Sequence, residues 1–139
     1  AGIPIYSNIV MDQTGADGFG ILFEGHTGAS TTGDSGRLVP IVSNVVARNA
    51  LSGIAIYSPD TTHGTGGDIT QKNTIFGNVS SDDQGAGATQ DYGVILDVYS
   101  TNTGWLKYHA VVANVLNGND SGEFFTDGTD ISFGHNPGY

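Results

Sequence analysis

Four stretches of this chain repeat one sentence. Asn8-Ile-Val-Met-Asp-Gln13, Asn44-Val-Val-Ala-Arg-Asn49, Asn73-Thr-Ile-Phe-Gly-Asn78 and Asn114-Val-Leu-Asn-Gly-Asn119 each carry an Asn, an apolar residue two places on and an amide five places on. A glycine and an apolar-rich run follow each of them: Gly20-Ile-Leu-Phe, Gly53-Ile-Ala-Ile, Gly93-Val-Ile-Leu and, less well matched, Gly122-Glu-Phe-Phe. Self-similarity at a period of roughly 20 to 50 residues is the mark of stacked repeats, each too small to bury its apolar face alone.

Aligned on the first Asn of each stretch, the repeats are spaced by 36, 29 and 41 residues. These spacings exceed the ~20 to 29 residues of a compact β-solenoid turn, so the surplus is assigned to loops. Such loops fit residues 25–38, 58–67, 80–91 and 100–104, which are rich in Gly, Ser, Thr and Asp and poor in apolar residues. A fifth partial copy, Ile131-Ser-Phe-Gly-His-Asn136, echoes Thr74-Ile-Phe-Gly-Asn78 with one residue inserted before its Asn.

Short β-branched or aromatic runs, Ile3 to Tyr6, Val39 to Val42, Ile54 to Tyr57, Val94 to Tyr99 and His109 to Val112, are bounded by Gly, Asn or Pro and read as strands. No segment sustains a helical period. No hairpin dipeptide joins one strand to the next, so the economical arrangement pairs each strand in parallel with its equivalent one turn away. At the bends between strands, Asn tolerates the left-handed conformation. Its amide can then bond to the equivalent Asn one strand spacing, ~4.8 Å, above and below.

Composition narrows the partners. The chain is 139 residues long, and Arg37, Arg48, Lys72 and Lys107 oppose fourteen carboxylates for a net charge of −10. That balance disfavours nucleic acid or an anionic membrane and suits neutral or cation-bridged ligands. There is no Cys, hence no disulfide or thiolate-metal framework. Neither a membrane-length apolar run nor a signal peptide is visible. One domain, 1–139, accommodates the whole length, and entry in mid-pattern at Ala1-Gly-Ile-Pro-Ile suggests part of a longer protein.

The Asn-apolar-apolar-x-x-Asn pattern followed by Gly-Ile-x-Ile, together with Gln90-Asp-Tyr-Gly-Val94 and the closing Asn136-Pro-Gly-Tyr139, resembles the final coils of right-handed parallel β-helix proteins of the pectate-lyase-like superfamily. The resemblance covers nearly the whole chain. It implies an all-β, right-handed parallel β-helix of about four to five coils with loop insertions. It also implies a role in processing extracellular or virion-associated polysaccharide, as in polysaccharide lyases, glycoside hydrolases, epimerases and phage tailspikes. That superfamily usually has more coils and an amphipathic N-terminal cap, which this sequence does not show.

Setting the four glycine-led strands side by side maps candidate chemistry, because alternation sends successive side chains to opposite faces. Ile21, Phe23, Ile54, Ile56, Val94 and Leu96 face inward, and Glu24, Tyr57, Asp97 and Thr126 form one outward row on an exposed sheet. Two strand spacings separate Glu24 from Asp97, roughly 10 Å, near the ~6.5 to 9.5 Å between the carboxyls of inverting glycosidases. Glu24 and Asp97 are therefore the candidate acid and base, with Tyr57 between them as a stacking or proton-transfer partner. His26 and Tyr99, two places on along the same face, and Trp105 are candidate sugar contacts. The competing reading is a solvated sheet face with ordinary acidic residues.

Lyase chemistry needs a base beside the substrate carboxylate. Of Arg48, Lys72 and Lys107, the first two fall near bends with no lyase motif around them, so hydrolysis is favoured over β-elimination. No cofactor or metal site is implied. The nearest approach to a Ca²⁺ motif is a single Gly64-Thr-Gly-Gly-Asp68 half-repeat, with oxygen-rich turns at Asn119–Glu123 and Asp127–Asp130. The mechanism of such rolls needs consecutive copies. The four histidines have no metal-ligand spacing, and no Gly-x-Ser-x-Gly, His-Glu-x-x-His or phosphate-binding loop is present.

Phe124, Phe125, Ile131 and Phe133 crowd the last repeat, which would need covering by a homo-oligomer such as a trimer or by further β-helix. The alternative to an enzyme is a non-catalytic carbohydrate-binding or oligomerising module. Ice binding through regular Thr rows fails because the Thr residues cluster in irregular loops.

Overall fold

Bends in the left-handed region divide the chain into strands of two to seven residues. The computed structural model describes residues 3–24, 38–58, 70–98 and 106–137. Among them the chain is all-β apart from a single-turn 3-10 segment at Gly85–Gly87. In order it forms β1 (Ile5–Tyr6), β2 (Ile9–Met11) and β3 (Ile21–Glu24), then β4 (Pro40–Val42), β5 (Val45–Ala47) and β6 (Ser52–Ser58). β7 (Thr70–Gln71), β8 (Thr74–Phe76), β9 (Val79–Ser81) and β10 (Tyr92–Val98) follow. After them come β11 (Leu106–Lys107), β12 (Ala110–Val112), β13 (Val115–Asn117), β14 (Gly122–Thr126) and β15 (Ser132–Phe133).

Consecutive strands do not pair with one another. The sheets run β1-β4-β8-β12-β15, β2-β5-β9-β13 and β3-β6-β10-β14, with β7 and β11 as a separate pair, and every pairing is parallel. The chain thus visits three main sheets in a fixed cyclic order, and each visit adds one strand. Residues one cycle apart sit side by side.

That register produces a continuous apolar interior. Ile41, Ile75 and Val111 from the first sheet, Val46 and Leu116 from the second, and Ile54, Ile56, Val94 and Leu96 from the third are fully buried in one cluster with Leu106. Ser80 takes the Val46–Leu116 position on β9, and its hydroxyl donates to the Gly93 carbonyl at 2.6 Å. A buried hydroxyl without such a partner would cost about 1–3 kcal/mol.

The amide ladder is present, with a different membership from the sequence alignment. Asn8, Asn44, Asn78, Asn114 and Asn136 follow one another at spacings of 36, 34, 36 and 22 residues. At each step both the backbone N–H and Nδ2 donate to Oδ1 of the next Asn, at 2.8–3.0 Å. Asn73 belongs to another bend, where its Oδ1 accepts the Val39 N–H at 2.7 Å. β8 therefore continues β4 and not β5, and the irregular spacing of the sequence alignment disappears. The residue inserted in the fifth copy disappears with it, because Ser132 aligns with Ala110 and Thr74, and Asn136 with Asn114 and Asn78.

A second column runs Gln13, Asn49, Gln90, Asn119. The Gln13 N–H donates to Asn49 Oδ1, Asn49 Nδ2 to Gln90 Oε1 and Gln90 Nε2 to Asn119 Oδ1. The left-handed residue at these bends is the one before the amide: Ser7, Ser43, Gly77 and Ala113 in the first column, Asp12, Arg48 and Gly118 in the second, all with φ between 53 and 73°. The ladder Asn residues themselves keep negative φ, which leaves their amides aimed along the stack.

Candidate functional site

The outer face of the sheet β3-β6-β10-β14 carries the candidate residues. Gly20, Gly53 and Gly93 lead the first three strands because no side chain fits there: a Cβ on Gly53 would lie 1.9 Å from Ser80 Oγ, and one on Gly20 2.3 Å from Val46 Cγ1. The three glycines share a register position, which sets Ile21, Ile54 and Val94 level, then Glu24, Tyr57 and Asp97. Glu24 pairs directly with Tyr57, and Tyr57 with Asp97. Two parallel-strand spacings put the flanking backbones roughly 10 Å apart.

Thr126 does not join this row. β14 is displaced by one residue, so that Gly122 pairs with Tyr92 and Thr126 with Leu96. Glu123 then takes the level of Gly93, and its carboxylate accepts Asn119 Nδ2 at 2.6 Å, ending the second amide column. Phe124 falls inward beside Val94, and Asp127, whose N–H donates to the Leu96 carbonyl, follows Thr126 to the level of Asp97. Alignment of Gly122 with the other glycines, although its run matches less well, concealed this residue.

The face is not a uniformly exposed sheet. Tyr57 is only 9% exposed, and with Ala55 and Ile95 it forms a second apolar cluster flanked by Phe19, Tyr92 and Phe125. Phe19 meets Tyr57 edge-on at 5.7 Å, and Tyr92 meets Phe125 at 5.5 Å. Glu24 is exposed and Asp97 half-buried at the margins of this strip. The centre of the strip is buried, and Phe19, Tyr92 and Phe125 around it are only partly exposed, so the apolar cluster lies between the two carboxylates. The strip was missed in the sequence because Phe19 lies outside the glycine-led runs.

The described basic residues are held elsewhere. Arg48 donates from Nε and Nη2 to the two carboxylate oxygens of Asp12, at 2.8 and 3.1 Å, and from Nη1 to Asp83 at 3.4 Å. The Arg48 hydrogen bond holds the Asp12 carboxyl below its usual range. Lys72 occupies a left-handed bend, and Lys107 Nζ lies 5.6 Å from the centre of the Tyr108 ring. None of these three stands on the row of Glu24, Tyr57 and Asp97.

Among the described residues the most enclosed carboxylate, Asp82, is structural. Burial raises its pKa, but N–H groups of Thr89, Gln84 and Gln90 donate to it and, with Arg48 nearby, the balance falls below the usual carboxylate range. It organises the 3-10 segment and returns the chain to the ladder at Gln90.

His26, Tyr99 and Trp105 lie outside the described residues, as does Gly64–Asp68. At Asn119–Glu123 the amide and carboxylate bond to each other. Among the described residues no group of three His, Cys, Asp or Glu side chains is arranged to hold a metal ion, and no helix is long and apolar enough to cross a membrane. No protein-family model matches the chain, and no match is found among curated proteins or solved structures.

Proposed function

We propose that the three parallel sheets wind as a right-handed parallel β-helix like those of the pectate-lyase-like superfamily, and that the chain cleaves an extracellular or cell-surface polysaccharide by glycoside hydrolysis. The fold reading is supported by the cyclic order of the sheets and by the five-membered Asn column. The functional reading is carried by one observation, the direct register of Glu24, Tyr57 and Asp97 across three neighbouring strands.

In this reading one carboxyl protonates the glycosidic oxygen while the other, as carboxylate, activates a water on the opposite face of the sugar, the arrangement of an inverting hydrolase. The partly exposed Phe19, Tyr92 and Phe125 around the buried Tyr57 receive the ring. No cofactor takes part. β-Elimination is disfavoured because Arg48 is committed to Asp12 and Asp83 at a bend.

A second reading, carbohydrate binding without cleavage, is favoured by the strip of Phe19, Tyr57, Tyr92 and Phe125, which recognises a sugar without needing the carboxylates. Assay of the chain on a panel of bacterial and plant polysaccharides separates the two. Hydrolysis releases reducing ends without an unsaturated product, and Glu24→Gln and Asp97→Asn each lower turnover by about 10²–10⁴-fold, the usual worth of a general acid or base. Undiminished turnover in both variants overturns the catalytic assignment. Binding with no product supports the second reading, and unsaturated product supports a lyase.

A further inference from the structure

The sheet β1-β4-β8-β12-β15 turns another face to solvent, apart from the row of Glu24, Tyr57 and Asp97 on β3, β6 and β10. Ile41, Ile75 and Val111 point from it into the core. Alternation therefore puts Tyr6, Val42, Phe76 and Val112 outward, and strand register holds these four in one row. Pro40, Thr74 and Ala110 form the row beside it. Neither row carries a charge, in a chain whose net charge is −10.

Phe76 is 47% exposed although Val42 and Val112 flank it on the neighbouring strands, so its exposure is lateral and owes nothing to the ends of the stack. Tyr6, 63% exposed, stands two strand spacings away in the same row, roughly 10 Å. Single exposed apolar residues are ordinary on a protein surface. Two aromatic side chains set at a fixed interval along an uncharged row are a patterned surface. The exposed Ser7 and Ser43, at the bend that follows Tyr6 and Val42, add hydroxyls along one edge.

The size of this face limits what can cover it. Three residues per strand give a width of about 10 Å, and five strands a height of about 20 Å. The product, roughly 200 Å², is about a quarter of the ~800 Å² per partner that a stable protein interface buries. A second copy of the chain would also bring its own charge of −10 against the first. One extended sugar chain running along the stack matches the width and needs no opposite charge. In a ribbon of neutral β-linked hexoses every second unit presents the same face, and two units span about the distance from Tyr6 to Phe76. The apolar C–H face of a sugar packs on an aromatic ring, and Val42 leaves room for the unit between.

We propose that this face binds a single chain of a neutral β-linked polysaccharide of the cellulose or mannan class, laid across the strands with alternate sugars on Tyr6 and Phe76. It is an anchoring site, separate from the row of Glu24 and Asp97.

Calorimetric titration with cellohexaose and mannohexaose, and with a galacturonate hexamer as the anionic comparison, tests this. The wild type is expected to bind at least one neutral hexamer, and the galacturonate hexamer at least about tenfold more weakly. Phe76→Leu and Tyr6→Leu keep apolar bulk and lose the flat ring, and each is expected to weaken binding about tenfold. Phe76→Tyr, which keeps a ring, holds affinity within about twofold. Ile9→Ala removes a still more exposed apolar side chain from the neighbouring sheet and is expected to bind as the wild type does. The proposal is overturned if neither neutral hexamer binds, if the galacturonate hexamer binds as tightly, or if both Leu variants keep wild-type affinity. It is equally overturned if Phe76→Tyr loses binding or if Ile9→Ala weakens it as much as the Leu variants do. A wild-type dimer in sedimentation that Phe76→Leu dissociates assigns the face to a second copy and overturns it too. Because binding is read and not product, failure of cleavage at Glu24 and Asp97 alters none of these outcomes.

Discussion

Asn78 Nδ2 donates to Oδ1 of Asn114 at 2.8 Å, with both side chains buried in the middle of the stack. The Asn78 Oδ1 in turn accepts both the N–H and the Nδ2 of Asn44. Asn78→Ala therefore strands donors on one side and an acceptor on the other, each costing about 1–3 kcal/mol when left buried and unsatisfied. We expect a loss of about 2–4 kcal/mol by denaturant titration. Asn8→Ala, at the exposed end of the same column, should cost under about 1 kcal/mol, and equal losses at the two positions would contradict a cooperative ladder.

How much of this was legible in the sequence depends on which residues share a rule. The inward alternation of Ile21, Ile54, Ile56, Val94 and Leu96 was readable because the clash at Gly20, Gly53 and Gly93 pins the register of all three strands. The third repeat was misaligned because Asn73 and Asn78 happen to stand five apart, like Asn44 and Asn49, although each serves a different bend. Nothing in the local pattern separates them. Asn73 sits in a column whose other members are Val39, His109 and Ile131, so its neighbours one cycle away give no amide signal. The last strand misled for the opposite reason: Gly122 copies the motif, but Glu123 occupies the structural position and uses its carboxylate to end a column.

The left-handed bends predict a stabilising substitution. Ala113 has φ 57° at the bend where the preceding cycle has Gly77, with φ 63°. A non-glycine residue pays about 1–2 kcal/mol there, against about 0.5–1 kcal/mol of extra chain entropy for glycine. Ala113→Gly should raise stability by up to about 1 kcal/mol. A Cβ on Gly77 would meet only Ser43 Oγ at 4.0 Å, so Gly77→Ala should lower stability by about 1 kcal/mol through backbone strain alone. Thermal unfolding of both variants reads the two signs.

Gly53 is required for a different reason. Its φ is not positive, but a Cβ would fall 1.9 Å from Ser80 Oγ and 3.0 Å from the Gly93 carbonyl oxygen. Gly53→Ala should cost about 1–3 kcal/mol by overpacking. Ser80→Ala in the same chain should restore only part of it, because the Gly93 backbone cannot withdraw. Gly87, with open space around its Cβ position, is the control: Gly87→Ala should be neutral or slightly stabilising.

Asp82 predicts where acid weakens the fold. Burial of its side chain works against ionisation, yet the Thr89, Gln84 and Gln90 N–H groups and Arg48 outweigh it and leave the folded-state pKa depressed. A group with a depressed folded pKa contributes stability that is fully present above its unfolded value, about 3.9, and is lost as pH falls through the lower folded value. Denaturant midpoints should hold steady from neutral pH to about pH 5 and then decline below about pH 4. Asp82→Asn removes the titrating group and one of its acceptors, since an amide nitrogen cannot receive the Thr89 and Gln90 N–H groups. That variant should be less stable at pH 7 yet lose less on acidification, so the two curves converge at low pH. A pH dependence of the same slope in both proteins would show that Asp82 is not the group responsible, and would move the acid sensitivity to the exposed Asp12–Arg48 pair.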